Sequence, residues 1–233
     1  MIGPFAREAI LLRLATEGCR STLLKGESLT TVEGVSDEGD YVLLLDLGGV
    51  LFDFDDEHRV DRLGELFGRS AQQVKEALWD SGFSADADSG RYPTAAEVRV
   101  QVRTIMGYSG SDENLDIAWC SAFKPAEDVV ALVSQTAVPR GVFTNNGPLE
   151  EEVLTRLYPE VFALFDRLFF CHRLSANKPN PAVYEEVSAE LSVPRAQIRF
   201  ADDGEDNVEA ARRAGWTAVA YRTIEDLSEL IRQ

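Results

Sequence analysis

Residues 41–47 read YVLLLDL, and the fold follows from this run. Its apolar residues come in succession, without the alternation of a strand that is wet on one side. Such a run suits a central strand covered on both faces, as in a parallel α/β sheet. Four further short apolar segments read as strands: residues 140–144, 167–171, 198–201 and 218–221. Helical periodicity separates them over residues 149–157, 181–191 and 206–214. A further helix is expected to open at Pro125 and run through Val129, Val130, Leu132 and Val133. Strand and helix alternating in this order predict a doubly wound α/β fold with an open parallel sheet. Its ligand site should lie at the carboxyl ends of the central strands.

One stretch breaks the alternation. From about residue 57 to 124 no strand is expected, only helical pieces over 60–67, 71–79, 94–106 and 112–123. Thr94 with Glu97 three residues later is a capping box that starts the third. The reading is an inserted helical lobe at 57–124, placed to close over the site, within a core formed by 41–56 and 125–233. Ahead of the core, residues 4–17 place Phe5, Ile10, Leu11 and Leu14 at helical spacing. Gly18 ends that helix, and a connector rich in Gly, Ser, Thr and acids runs to Asp40. The apolar stripe wants a partner, either the sheet edge or a second copy in a homodimer.

The 233 residues carry 23 Lys and Arg against 40 Asp and Glu, a net charge of −17. Residues 1–40 hold four basic and seven acidic residues, so −14 is spread over the rest and there is no acidic tail. So negative a chain repels phosphate backbones, and no basic cluster offsets it; nucleic acid and anionic membranes are not expected partners. No apolar run approaches the roughly 20 residues of a membrane span, and no signal peptide is recognisable, which predicts a cytoplasmic protein. Cys19, Cys120 and Cys171 are odd in number and widely spaced, so they read as plain buried thiols.

Four constellations could carry chemistry. Asp46 follows the first strand and precedes Gly48 and Gly49, where backbone amides can approach an anion. Read alone, it is equally a turn residue. Thr144, Asn145 and Asn146 stand at the end of another strand and lead into a helix, which suits either an oxyanion or helix capping. Lys178 in SANKPNP is a lone cation on a loop stiffened by Pro179 and Pro181, or a solvated surface lysine. Asp202 and Asp203 are adjacent carboxylates at a strand end, which repel unless a cation sits between them, and so imply a metal.

Taken together, a first-strand Asp, then Thr-Asn, then Lys, then an acidic pair resembles the four-motif signature of the haloacid dehalogenase (HAD) superfamily. The resemblance spans about residues 41–225. Within it DLGGVLFDFD, SGRYPTAAE, LYPEVF, KPNPAVYEEV and FADDGEDNVEAARRAG are similar to a branch of small phosphatases that includes bacterial glucose-1-phosphate phosphatases. The resemblance implies that Asp46 is the nucleophile, forming an aspartyl-phosphate, and also a Mg²⁺ ligand. The Gly48 carbonyl would be a second ligand, and Asp202 and Asp203 would complete the metal set, directly or through water. Thr144, Asn145 and Asn146 would hold the phosphoryl oxygens, and Lys178 would neutralise charge on them and on Asp46.

This chain departs from the superfamily in one respect. Most of its phosphatases carry an Asp two positions after the nucleophile to protonate the leaving group, and here that residue is Gly48. Either the leaving hydroxyl is unusually acidic, like the anomeric hydroxyl of a sugar 1-phosphate, or Asp53 or His58 donates the proton, or the chain is a weak relative. Asp53 is otherwise a cap of the first lobe helix and His58 an exposed helix-start residue. His172 lacks an evident partner and reads as packed or superficial, and Trp79 and Trp119 as lobe core or pocket lining. The expected function is a Mg²⁺-dependent phosphatase acting on a small phosphorylated metabolite, of sugar phosphate type. The alternatives are 2-haloacid dehalogenation, which needs no metal and leaves the acidic pair unexplained, and a catalytically weak binding or regulatory protein.

Overall fold

The computed structural model describes residues 41–233; the expected helix over 4–17, its connector and Cys19 lie outside them. The chain runs through β1 (Val42–Leu45) and β2 (Phe52–Phe54) into five helices: α1 (Asp56–Phe67), α2 (Ala71–Lys75), α3 (Phe83–Asp88), α4 (Ala95–Met106) and α5 (Asp112–Trp119). It returns through β3 (Phe123–Pro125) and α6 (Glu127–Ser134) to β4 (Arg140–Thr144), α7 (Pro148–Leu157), α8 (Pro159–Phe162) and β5 (Arg167–Phe170). α9 (Pro181–Leu191), β6 (Ile198–Asp202), α10 (Glu205–Arg213), β7 (Thr217–Ala220) and α11 (Ile224–Arg232) complete it.

The main sheet is parallel, in the order β5-β4-β1-β6-β7. β1 is central, and its residues alternate between two apolar layers. Val42 and Leu44 pack with Phe143, Phe200, Tyr184 and Trp216 under α9 and α10. Leu43 and Leu45 face the opposite layer with Val129, Leu149, Val153 and Leu227 from α6, α7 and α11. Burial on both sides is why this strand has no polar alternation. The strand order reverses at β1, where an open α/β sheet forms its ligand crevice. No helix among the described residues is long and apolar enough to cross a membrane.

The helical stretch departs from the sequence expectation at both ends. β2 and β3 form an antiparallel ribbon, with Phe52 opposite Pro125, Asp53 opposite Lys124 and Phe54 opposite Phe123. Pro125 is therefore a strand residue and not a helix start. It is tolerated because a two-stranded ribbon offers an edge that needs no N–H there. α6 begins two residues later with Ala126 as its N-cap. The expected helix over 112–123 stops at Trp119, followed by a 3-10 turn at Cys120–Ala122. The piece over 71–79 becomes α2 and a wider, π-helical winding at Glu76–Asp80, while α3 was not expected. The Thr94 capping box is formed: the Glu97 N–H donates to Thr94 Oγ1 (3.3 Å) and the Thr94 N–H to Glu97 Oε2 (3.1 Å).

Ion pairs around the buried Arg99 and Asp116 reach from this stretch to exposed partners on α7. Arg99 on α4 donates to both oxygens of Asp116 on α5, at 2.7 and 2.9 Å, and to Glu152 on α7 at 2.7 Å. Arg156 on α7 reaches Asp116 at 2.7 Å. Trp119 Nε1 donates to Glu150 Oε1 at 2.7 Å. Asp116 thus neutralises two guanidinium groups from positions far apart in sequence. Removing one partner of a buried pair leaves an uncompensated charge, at a cost of roughly 3–5 kcal/mol. Asp116→Ala is therefore expected to lower the unfolding free energy by about 3 kcal/mol, read as a lower urea midpoint.

Candidate active site

Asp46 lies one residue beyond β1. Its N–H continues the ladder by donating to the Ala201 carbonyl at 2.9 Å. Because Leu45 pairs with Val142 on one side and Ala201 on the other, the register sets Asp46 level with Phe143 and Asp202. Two buried carboxylates therefore stand side by side on adjacent strands. The turn behind Asp46 is closed by the Leu47 N–H on Asp46 Oδ1 (2.7 Å), the Phe52 N–H on the Leu47 carbonyl (2.8 Å) and the Gly49 N–H on the Phe52 carbonyl (2.8 Å). Gly49 has φ of +77°, and a Cβ on it would stand 2.6 Å from Asp203 Oδ2. Both the backbone conformation and the closeness of Asp203 demand glycine there.

Lys178 answers the paired carboxylates. It is 4% exposed, and its Nζ donates to the Phe143 carbonyl at 2.8 Å and to Asp202 Oδ2 at 2.6 Å. Asp46 Oδ1 lies 3.0 Å away. All three ammonium protons thus have acceptors, and the rings of Phe143 and Phe200 lie 5.1 and 5.2 Å from Nζ. Burial alone would lower the ammonium pKa, but the carboxylates of Asp46 and Asp202 outweigh it and hold Lys178 above its ordinary value. Burial also pushes Asp46 up to about 6, with Asp202 adding to the rise and Lys178 opposing it.

Asp202 is fully buried, and both its oxygens are engaged. Oδ1 accepts from the Gly204 N–H (2.7 Å) and Asn207 Nδ2 (2.9 Å), while Oδ2 accepts from Lys178. Asp203 is exposed and raised by partial burial and by the Asp202 charge; its backbone carbonyl accepts from Arg222 at 2.5 Å. Oxygens of Asp46, Asp202 and Asp203 all lie within 4.8 Å of one another. Three carboxylates against one ammonium leave an excess of two negative charges, and hard oxygen donors at this spacing fit a small divalent cation.

Thr144 and Asn146 converge beside this cluster. Thr144 is 1% exposed, and its Oγ1 donates to Asn146 Oδ1 at 2.8 Å. Asn145, expected on the phosphoryl oxygens, spends its side chain otherwise. Oδ1 accepts from the Lys178 N–H (2.8 Å) and Nδ2 donates to the Lys178 carbonyl (3.0 Å), a clamp that fixes the lysine loop. Its amide is therefore a positioning group, because both ends are taken by the backbone it holds. Gly48 sits in the turn, where a Cβ would touch Phe54 and Phe123 at 3.5 Å.

Other expected residues are not brought into the cluster. Asp53 is exposed on β2 and opposes Lys124; the cap of α1 is Asp55, whose Oδ1 accepts from the His58 N–H at 2.9 Å. His58 is exposed at the start of that helix. His172 is packed and lies 2.7 Å from Glu151 Oε2. Trp119 is buried and stacks on half-buried Trp79 at 5.9 Å. Cys120 and Cys171 are buried free thiols. Arg222 was not singled out from sequence, and it acts only through contacts made by folding. Asn207 stands one helical turn behind the acidic pair, and Gly49 reads from sequence as a turn glycine beside Asp46; what each touches is set by folding.

No protein-family profile matches the sequence. The chain is 25% identical over 183 residues to "Phosphatase MT3486" of Mycobacterium tuberculosis, an alignment that covers 76% of this chain and 84% of that one. Among solved structures, the HAD family enzyme bt-2542 of Bacteroides thetaiotaomicron in its magnesium complex superposes with a TM-score of 0.71 at 25% identity, over 84% of this chain and all of the other. The same enzyme has been solved with magnesium and inorganic phosphate, at 24% identity. L-2-haloacid dehalogenase of Xanthobacter autotrophicus superposes less well, with a TM-score of 0.55 and 19% identity over 81% of each chain. The chain has the fold of the HAD family hydrolases.

Two outcomes follow from the geometry. In chelator the folded pKa of Asp46, about 6, lies above its ordinary 3.8, so its contribution to stability is full below pH 4 and is lost as the pH rises through 6. Asp46→Asn removes this loss, and its thermal stability relative to wild type should gain on the order of 1 kcal/mol between pH 4 and pH 7. Gly49→Ala forces Asp203 aside, and calorimetry should show divalent-cation binding weakened at least about tenfold, some 1.4 kcal/mol.

Proposed function

We propose that the protein hydrolyses a small phosphorylated metabolite, of sugar phosphate type, through an aspartyl-phosphate on Asp46. It is a HAD-type hydrolase and takes Mg²⁺ as its cofactor. The single observation that carries the reading is the meeting of Asp46, Lys178, Asp202 and Asp203 at the strand ends of the switch point. Mg²⁺ held by Asp46, Asp202, Asp203 and the Gly48 carbonyl would offset the charge of the phosphoryl oxygens.

The residues of the chain divide the remaining work. Asp46 Oδ attacks phosphorus and displaces the leaving oxygen, and water then cleaves the acyl phosphate. Lys178 holds the nucleophile ionised through its 3.0 Å contact and neutralises charge on the transferring group. Thr144 Oγ1 and Asn146 would turn from each other to the phosphoryl oxygens, and Asn145 keeps Lys178 in place. The helical stretch between β2 and β3 acts as a cap over the crevice and selects the substrate. The sugar phosphate type rests on the likeness of the chain's motifs, among them SGRYPTAAE and KPNPAVYEEV, to the small-phosphatase branch.

Haloacid chemistry fits this chain less well, because attack on carbon gives three clustered carboxylates no cation to hold. Asp46→Asn should abolish phosphomonoester turnover, by at least about 10³-fold, with the fold unchanged by circular dichroism. Chelation should abolish it in the wild type, and Mg²⁺ should restore it. Halide release from a haloacid that persists in chelator is the result that would replace this reading with the dehalogenase one.

A further inference from the structure

A phosphatase with Gly48 at the usual place of the general acid needs an ionisable group that faces the phosphoryl cradle from outside the metal carboxylates. Asp53 and His58 are exposed and make no contact with the cradle's hydrogen-bonded groups. Asp88 is differently placed. It ends α3, and the last turn of that helix lies on the loop that follows Thr144 and Asn146. A Cβ on Gly147 would stand 3.0 Å from Asp88 Oδ1 and 3.3 Å from the Ala87 carbonyl oxygen. The φ of Gly147 is −81°, which any residue adopts, so closeness to α3 is what requires glycine there. The Gly147 N–H faces the Asp88 carboxylate.

The charges around Asp88 are committed to other partners. Arg59 on α1 donates to Asp56 Oδ1 at 3.1 and 2.6 Å and lies between the rings of Phe54 and Trp79, at 5.1 and 4.8 Å. Glu150 on α7 accepts from Trp119. On the β5 side, Glu151 is held by His172 and Arg173. Burial and then the Glu150 charge push the Asp88 carboxyl well above the usual carboxylate range, against Arg59 and the Gly147 N–H. Environments that keep a carboxylic acid protonated beside an ionised one mark acid and nucleophile roles apart.

We propose that Asp88 is the general acid of the reaction, donating across the crevice to the leaving oxygen while Asp46 attacks from the strand side. The inference rests on the phosphatase reading above. In the first step the Asp46 Oδ–P bond forms, the P–O bond to the leaving group breaks, and the Asp88 proton goes to the departing oxygen, giving a free hydroxyl and an Asp88 carboxylate. In the second, water attacks phosphorus, its proton passes to Asp88, and Asp46 leaves as carboxylate with release of inorganic phosphate. Both groups end as they began.

The test compares two leaving groups in the Mg²⁺-loaded enzyme: the best-accepted sugar or polyol phosphate, which needs a proton to depart, and dinitrophenyl phosphate, which does not. Asp88→Asn should lower kcat/KM, which reports only the steps through departure of the leaving group, by about 10²–10⁴-fold on the first and by no more than about threefold on the second. Gly147→Ala, which displaces the acid without deleting it, should show the same selectivity; a retained kcat/KM on dinitrophenyl phosphate certifies the fold of both variants. Equal losses on the two esters in both variants, or no loss on the sugar or polyol phosphate, would overturn the assignment alone. A wild type that hydrolyses neither ester overturns the phosphatase reading and this inference together.

Discussion

Two carboxylates forced level on neighbouring strands are the constraint from which the rest of the site follows. The pairing of β1 with β6 leaves Asp46 and Asp202 side by side, where the Asp202 charge disfavours that of Asp46. Lys178 relieves this with one ammonium and three acceptors, and everything about its loop serves that placement. Asn145 grips its backbone from the next strand, and the Phe143 carbonyl takes the third proton. One positive charge against Asp46, Asp202 and Asp203 still leaves two negative charges. The site is therefore unfinished without a divalent cation, and this is a stronger warrant for Mg²⁺ than any single ligand.

How much of this was legible in the sequence depended on whether a residue acts through its position along the chain or through contacts made by folding. The unbroken apolar run of β1 announced a strand buried on both faces, and Asp46, Thr144 and Asp202 were visible because each closes such a run. The acidic pair implied a cation from electrostatics alone. β2 and β3 were not visible: three-residue strands carry too little pattern, and Pro125 suits an edge strand as well as a helix start. Asn145 looked like an oxyanion ligand because residue type and placement suited one; only the loop of Lys178, 33 residues on, shows where its amide goes. Asp88 was opaque for the same reason, as was the closeness of Asp203 to Gly49, since both lie in what folding brings together.

The helical stretch raises a question of motion. A cap over a phosphatase crevice is expected to open and close, and excluding water strengthens every charge interaction within. Here Arg99, Asp116, Glu152 and Arg156 join that stretch to α7, and Trp119 joins it to Glu150 on the same helix. A rigid rotation away from α7 would take Glu152 from Arg99 and Arg156 from Asp116, and would unpair the buried Trp119 and Glu150. Movement is cheaper where these ties are absent, on the side of the β2–β3 ribbon.

That asymmetry bears on the chemistry, because α7 starts at the loop of Thr144 and Asn146 and its first turns carry the acids that hold the cap. The helical stretch and the loop of Thr144 and Asn146 therefore meet on one helix. A side chain presented by α3 against Gly147 is then placed relative to the cradle by packing, not by the flexibility of a lid. The superfamily that the motifs resemble implies an acid in the turn after the nucleophile, where this chain has Gly48. In this chain that turn is packed against Phe54 and Phe123, and the geometry moves the duty to the opposite wall of the crevice. A wall packed against Gly147 can hold an acid to the fraction of an ångström that proton transfer demands, and a freely hinged one cannot.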